Sequence, residues 1–125
     1  MMKMILAIAA GGAFGAVSRH YFAAFIMRLA GGSFPLGIMV TNIVGSLCMG
    51  LVVALLAHRM SLPTEMKSFL TVGFLGAFTT FSTFSMEAVM LCERGAYAQA
   101  ALYIGGSVLL GILGFISGLQ LGKMV

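Results

Sequence analysis

The sequence predicts an all-α membrane protein with four transmembrane helices. Of its 125 residues, 61% are hydrophobic and only 8% are charged, whereas a soluble domain carries about 25% charged residues. A spanning helix needs about 20 mostly apolar residues, and the chain has four such blocks, at residues 4–27, 36–57, 66–92 and 96–121. Because no room remains for a soluble domain, residues 1–125 are predicted to form a single four-helix transmembrane domain.

The first block combines a packing motif with a charge. Gly11 and Gly15 have the GxxxG spacing that lets two helix backbones approach closely in lipid. The apolar run continues after Arg19, which favours a retained helix over a cleaved signal peptide. A charge inside a membrane is costly unless it reaches a headgroup, finds a partner or faces water. Two interpretations therefore stay open for Arg19, a contact with lipid headgroups or a place in a water-filled vestibule.

The second block carries an amide in its apolar part. Asn42 and Ser46 are four residues apart, so they share one face of the predicted helix. The usual explanation of an asparagine in lipid is a hydrogen bond to another helix. The alternative is that the Asn42 amide donates to something that passes through the protein.

The third block is the least typical of a plain spanning helix. Within the run GFLGAFTTFSTFSM at residues 73–86, glycines and the adjacent β-branched Thr79 and Thr80 are weak helix formers. They predict a break in helix 3 between Gly76 and Thr80. Non-helical backbone at membrane depth is tolerated only where it is buried in protein or lines a polar cavity. The break is therefore a candidate functional site.

After the break, Phe81, Phe84 and Glu87 follow at intervals of three residues, which places them on one face of the helix. Glu87 is interpreted either as a solvated or salt-bridged carboxylate near the membrane edge or as part of the site. On the fourth helix, Tyr103 and Ser107 are four residues apart. Tyr103 is either an ordinary interfacial aromatic residue or the start of a polar line that points inward.

The distribution of charge excludes one class of partner and leaves the topology open. The seven lysines and arginines are scattered singly and form no patch for nucleic acid. Under the positive-inside rule, the side with both termini and the second loop has Lys3, Arg59, Lys67 and Lys123. The other side has Arg28 and Arg94, while the side of Arg19 stays undecided. So weak a bias is compatible with insertion in both orientations and an antiparallel dimer, and also with a single orientation.

The residue types indicate transport of a small ion and no enzyme. The chain has no paired carboxylates, Cys/His metal spacing, nucleophile elbow or phosphate-binding loop. Its apolar blocks instead hold hydrogen-bond donors and phenylalanine rings, whose edges carry positive quadrupole charge and suit an anion. A proton-coupled multidrug exporter needs a carboxylate in helix 1, which has none. An assembly protein that packs through its glycines would leave the donors unexplained.

Four motifs together resemble the Fluc (CrcB) family of fluoride channels over essentially the whole chain. They are GGxxGAxxR at residues 11–19, TNxxGS at residues 41–46, GxxTTFSTFSxE at residues 76–87 and a tyrosine, Tyr103, in helix 4. The resemblance implies passive export of fluoride from the cytoplasm, which relieves fluoride toxicity. It also implies an antiparallel dual-topology homodimer with two pores in the cell inner (plasma) membrane.

The same resemblance implies roles for individual residues. Arg19 would mark the vestibule, and a structural Na+ at the dimer centre would be held by the backbone carbonyls of Gly76 and Thr79 from both subunits. Gly111 stands where relatives often place a further hydroxyl, so the donors of helix 4 differ from the family pattern. The fluoride pore would be lined by Asn42, Ser46, Phe81, Thr83, Phe84, Glu87, Tyr103 and Ser107.

Overall fold

A computed structural model describes all 125 residues, and nearly all of the chain is helical. Four helices are long and apolar enough to cross a membrane, which confirms the predicted all-α membrane fold. They span Met2–Ala30, Leu36–His58, Thr64–Glu93 and Tyr97–Met124. The first and second are continuous and are called α1 (Met2–Ala30) and α2 (Leu36–His58).

The third span is a composite of four helical pieces. Thr79 (φ −91°, ψ 158°) and Thr80 (φ −152°, ψ 124°) have extended backbone angles and interrupt it within the apolar block. A π-helical stretch precedes them, and such stretches occur often at functional sites. The pieces in chain order are α3 (Thr64–Ser68), the π segment (Phe69–Leu75), α4 (Gly76–Phe78) and α5 (Phe81–Glu93), and the last span is α6 (Tyr97–Met124).

Thr80 satisfies part of the backbone that the interruption exposes. Its hydroxyl accepts from the Thr83 backbone N–H at 3.1 Å, which is the hydrogen bond of a helix N-cap. The Thr79 hydroxyl donates to the Leu75 carbonyl oxygen at 3.0 Å, and the Thr79 N–H donates to the same oxygen at 3.1 Å. The Thr80 side chain therefore defines the start of α5.

Glycines bring α1 against the π segment, as the GxxxG spacing predicts. Gly11 and Gly15 are the two buried residues of α1. A Cβ atom at Gly11 would overlap the carbonyl oxygen of Phe69, and one at Gly15 would overlap that of Phe74. The absence of these side chains lets the two backbones touch, which anchors α1 beside the interrupted span.

A second glycine face joins α6 to α2. Gly114, Gly118 and Gly122 are buried along α6. A Cβ atom at Gly114 would lie 3.2 Å from the Ile43 carbonyl oxygen, and one at Gly118 would overlap the Leu47 carbonyl oxygen. This close packing places Asn42 and its neighbours beside the middle of α6.

A small apolar core fills the space between α2, α5 and α6. Most other large apolar side chains are exposed on the outside of the bundle, as expected of a protein that lipid surrounds. The core positions Tyr103 and Phe84 side by side. Its members are Met39, Phe84, Ala88, Leu91, Ala100 and Tyr103.

Candidate functional site

Two side chains from other helices hold the extended residues in place. Asn42 on α2 donates from Nδ2 to the Thr80 carbonyl oxygen at 3.0 Å, and its Oδ1 accepts from the Thr80 N–H at 2.8 Å. Arg19 on α1 donates from Nη1 to the Thr79 carbonyl oxygen at 3.2 Å. Asn42 thus makes a hydrogen bond to another helix, and its amide carries a second N–H that Thr80 does not use.

The bond between Asn42 and Thr80 also changes the environment of Gly76. In a continuous α-helix, the N–H of Thr80 would donate to the carbonyl oxygen of Gly76, four residues earlier. Here that N–H donates to Asn42 Oδ1 instead. The Gly76 carbonyl therefore loses its regular helical donor at membrane depth.

A cavity of about 370 Å³ lies beside this segment, between α2, α5 and α6. Thr79 and Thr80 form part of its wall. Gly111 leaves the α6 side of the cavity open, since a Cβ atom there would meet only Ser46 Oγ, at 3.8 Å. The cavity brings together five of the residues predicted for the pore, namely Asn42, Ser46, Phe81, Phe84 and Ser107.

Ser107 is a buried polar residue of this cavity whose side chain lacks a partner. It is 8% exposed, and its hydroxyl makes no hydrogen bond within the protein. A buried hydroxyl without a partner costs about 1–3 kcal/mol, so such a group calls for an explanation. A ligand or a water molecule in the cavity would supply the missing partner.

Three aromatic rings lead away from the cavity. The centroids of Phe81 and Phe84 are 5.6 Å apart with the ring planes at 49°, and Phe84 stacks on Tyr103 with centroids 5.3 Å apart. Tyr103 is fully buried, and its hydroxyl donates to Glu87 Oε2 at 2.7 Å. Tyr103 therefore connects the ring pair to a carboxylate.

Glu87 and Thr83 line a different cavity, of about 470 Å³, between α1, the start of α2 and α5. Three residues along an α-helix amount to a rotation about 60° short of a full turn. Two such steps from Phe81 to Glu87 add up to about 120°. The prediction that Phe81, Phe84 and Glu87 share one face of the helix is therefore wrong. His20 and Arg94 lie in the same cavity, and their proximity to Glu87 was not predicted.

The apolar wall of the first cavity was not predicted from the sequence. Met49 follows Ser46 by three residues and Asn42 by seven, so helical periodicity places it on their face. The α6 members follow Ser107 or Gly111 at spacings of one to five residues. The missed wall residues are Met49, Val108, Ile112 and Phe115.

Comparison with known proteins identifies the family. Residues 6–119 match the family described as CrcB-like protein, Camphor Resistance (CrcB). A relative from Agrobacterium fabrum is 48% identical over 98% of both chains, and one from Methylobacterium nodulans is 52% identical over 90% of both. A third, from Maridesulfovibrio salexigens, is 42% identical over 99% of this chain and 98% of its own. Each of the three is named a fluoride-specific ion channel FluC. The match and the identities confirm the resemblance that the motifs indicated, and the chain belongs to the CrcB family.

Proposed function

We propose that this protein is a fluoride-selective ion channel that exports F− passively from the cytoplasm and so relieves fluoride toxicity. The observation that carries the proposal is the buried Ser107 hydroxyl, which has no partner within the protein and lines a cavity beside two phenylalanine rings. The related chains are named as fluoride-specific ion channels. Ion channels are not enzymes, which agrees with the prediction that this chain is none.

The chemistry of the cavity suits an anion that has lost its water. Hydroxyls of Ser46 and Ser107 and the second N–H of Asn42 are donors that replace water molecules around fluoride. The rings of Phe81 and Phe84 offer positively polarised edges, and in a closed pore they would narrow the path against the larger chloride. No lysine or arginine lies on α2 or early on α6, so fluoride is bound weakly enough to leave, as conduction requires.

The path continues through the aromatic rings. We place fluoride next beside Phe84 and Tyr103, whose stacked rings join the first cavity to the Glu87 carboxylate. Thr83 and Glu87 then line the far part of the path in the second cavity. The proposal keeps Arg19 at a vestibule of the path, and the hydrogen bond from its guanidinium to the Thr79 carbonyl is compatible with this role.

One chain leaves the pore incomplete. Phe81 is 78% exposed although it lines the first cavity. A second copy of the chain, packed antiparallel, would cover Phe81 and close the cavity. The proposed assembly is therefore a dual-topology homodimer with two pores in the inner (plasma) membrane, in keeping with the weak bias of positive charge.

The proposal includes a structural Na+ between the two copies. Carbonyl oxygens of interrupted helices are ligands that suit Na+ in membrane proteins. The Gly76 carbonyl lacks the Thr80 N–H, and the Thr79 carbonyl uses one of its two lone pairs for Arg19. These two oxygens would supply half of the cation site, and a second copy would supply the other half.

Fluoride efflux from liposomes tests the proposal. Purified protein is reconstituted with valinomycin and a potassium fluoride gradient, and efflux is followed with a fluoride electrode. We expect rapid efflux without a proton gradient, whereas an exporter would require one and an assembly protein would give none. Ser107→Ala should slow efflux at least about tenfold, because a hydrogen bond to an ion contributes about 1.5–3 kcal/mol. Ser117→Ala, at an exposed site on the same helix, is the matched control and should conduct normally. Equal efflux from both variants would contradict the assigned role of the cavity.

A further inference from the structure

The membrane-embedded charge of α1 is fixed at the interrupted helix. Arg19 is more than halfway along α1, and its Nη1 donates to the Thr79 carbonyl oxygen at 3.2 Å. Thr79 immediately follows α4, and the end of a helix concentrates partial negative charge on its carbonyls. The guanidinium thus occupies a position at which a cation is stabilised.

The carbonyls of Thr79 and Gly76 therefore differ in their surroundings. The Gly76 carbonyl has lost the Thr80 N–H to Asn42, while the Thr79 carbonyl already has a positively charged donor. An arginine side chain is not deprotonated in proteins, so this charge is permanent. A mobile cation that binds both oxygens would therefore lie within a few ångströms of the Arg19 guanidinium, which repels it.

We propose that Arg19 is a fixed cation that limits how tightly the interrupted segment binds Na+. This inference rests on the proposed sodium site. Like charges repel more strongly at a site of low dielectric than in water, and Arg19 also uses one lone pair of the Thr79 carbonyl. Arg19 is thereby a positioning residue of the segment, and its charge keeps the affinity for Na+ below that of the bare carbonyls.

One consequence distinguishes this role from a purely structural one. Removal of the charge at position 19 should tighten Na+ binding, because it frees an acceptor and removes the repulsion. Removal of a residue that only packs against the segment would leave the Na+ affinity unchanged or weaken it.

The test is a binding titration of the purified, full-length homodimer with radioactive sodium ions, together with its thermal unfolding midpoint at each Na+ concentration. Arg19→Gln should bind Na+ about tenfold more tightly than the wild type, within the 5–150-fold range typical of coupled sites. Arg19→Lys keeps the charge and should bind Na+ like the wild type. Arg28→Gln is the matched control, since Arg28 is an exposed arginine in the last turn of the same helix, and its affinity should not change.

Each outcome decides the inference. An unchanged or weaker Na+ affinity in Arg19→Gln overturns it, as does an equal shift in Arg28→Gln. If Arg19→Gln needs more Na+ than the wild type to assemble, its Na+ binding is not tightened and the inference is overturned, as it also is if the variant fails to assemble at every Na+ concentration. Absence of Na+ binding in both wild type and Arg19→Gln also overturns it.

Fluoride efflux by the wild type is measured on the same preparation. Normal efflux with an unshifted Na+ affinity refutes the role of Arg19 alone. Absence of efflux refutes the proposed channel function instead.

Discussion

Replacement of Asn42 by alanine tests how the interrupted helix is held. The substitution removes two hydrogen bonds, of 3.0 Å and 2.8 Å, and leaves both backbone groups of Thr80 without their partner. A hydrogen bond contributes about 1 kcal/mol net to stability, and those between membrane helices average about 0.6 kcal/mol. The two bonds together predict a loss of about 1–2 kcal/mol. The loss falls on an extended segment that cannot re-form a continuous helix without moving Thr79 as well.

The free energy of unfolding is measured by titration with sodium dodecyl sulfate in mixed micelles. Ser46→Ala is the control, because Ser46 is one turn further along α2 and lines the same cavity. Its unfolding free energy should lie within about 0.5 kcal/mol of the wild type. If Asn42→Ala is as stable as this control, the hydrogen bonds to Thr80 do not hold the segment and the reasoning is wrong.

Three further substitutions have expected outcomes. Tyr103→Phe removes the 2.7 Å hydrogen bond to Glu87. It should lower the unfolding free energy by about 1.5–3 kcal/mol and slow fluoride efflux. Unchanged values of both would contradict the assigned role of the Tyr103 hydroxyl. Phe81→Ile should cut efflux about two- to tenfold, since an aromatic contact contributes about 0.5–1.5 kcal/mol beyond burial. It should have little effect on the fold of one chain, where Phe81 is exposed. Unaltered efflux would remove this ring from the mechanism. Gly118→Val should destabilise the protein by about 3 kcal/mol or more, because its Cβ overlaps a backbone carbonyl of α2. Gly105→Ala is the control and should be tolerated, since nothing lies within 4 Å of its Cβ. Equal stability of the two variants would argue against the glycine packing face.

The four spans were predictable because apolar composition alone decides which segments cross a membrane. Their ends were less so, and the first helix extends from the predicted residues 4–27 to Met2–Ala30. The run of apolar residues ends before Arg28, whereas the helical hydrogen bonds continue through Arg28 as far as Gly31, whose φ is +66°. A positive φ favours glycine and marks the actual end of the helix.

The contacts of the site were harder to predict from sequence. Helical periodicity indicates that Asn42 and Ser46 share a face, but it does not identify the element that this face meets. The partner of Asn42 is Thr80, and that of Arg19 is Thr79, 60 positions away along the chain. Such pairings depend on how the glycine faces set the helices against one another.

The sequence also carried no evident signal for the π segment Phe69–Leu75. An α-helix and a π-helix differ by one residue in the spacing of their hydrogen bonds. Apolar residues such as Phe69 and Leu70 are compatible with both. The close approach of Gly11 to this segment became visible only once the packing was known.

The most direct test of the central claim compares two anions in one preparation of vesicles. Liposomes with the purified wild-type protein are loaded with potassium fluoride or potassium chloride, and efflux is measured with electrodes selective for each anion. Donors and ring edges that replace the water around a small anion predict fast fluoride efflux and no chloride efflux above that of protein-free liposomes. Equal efflux of both anions, or of neither, would contradict the claim.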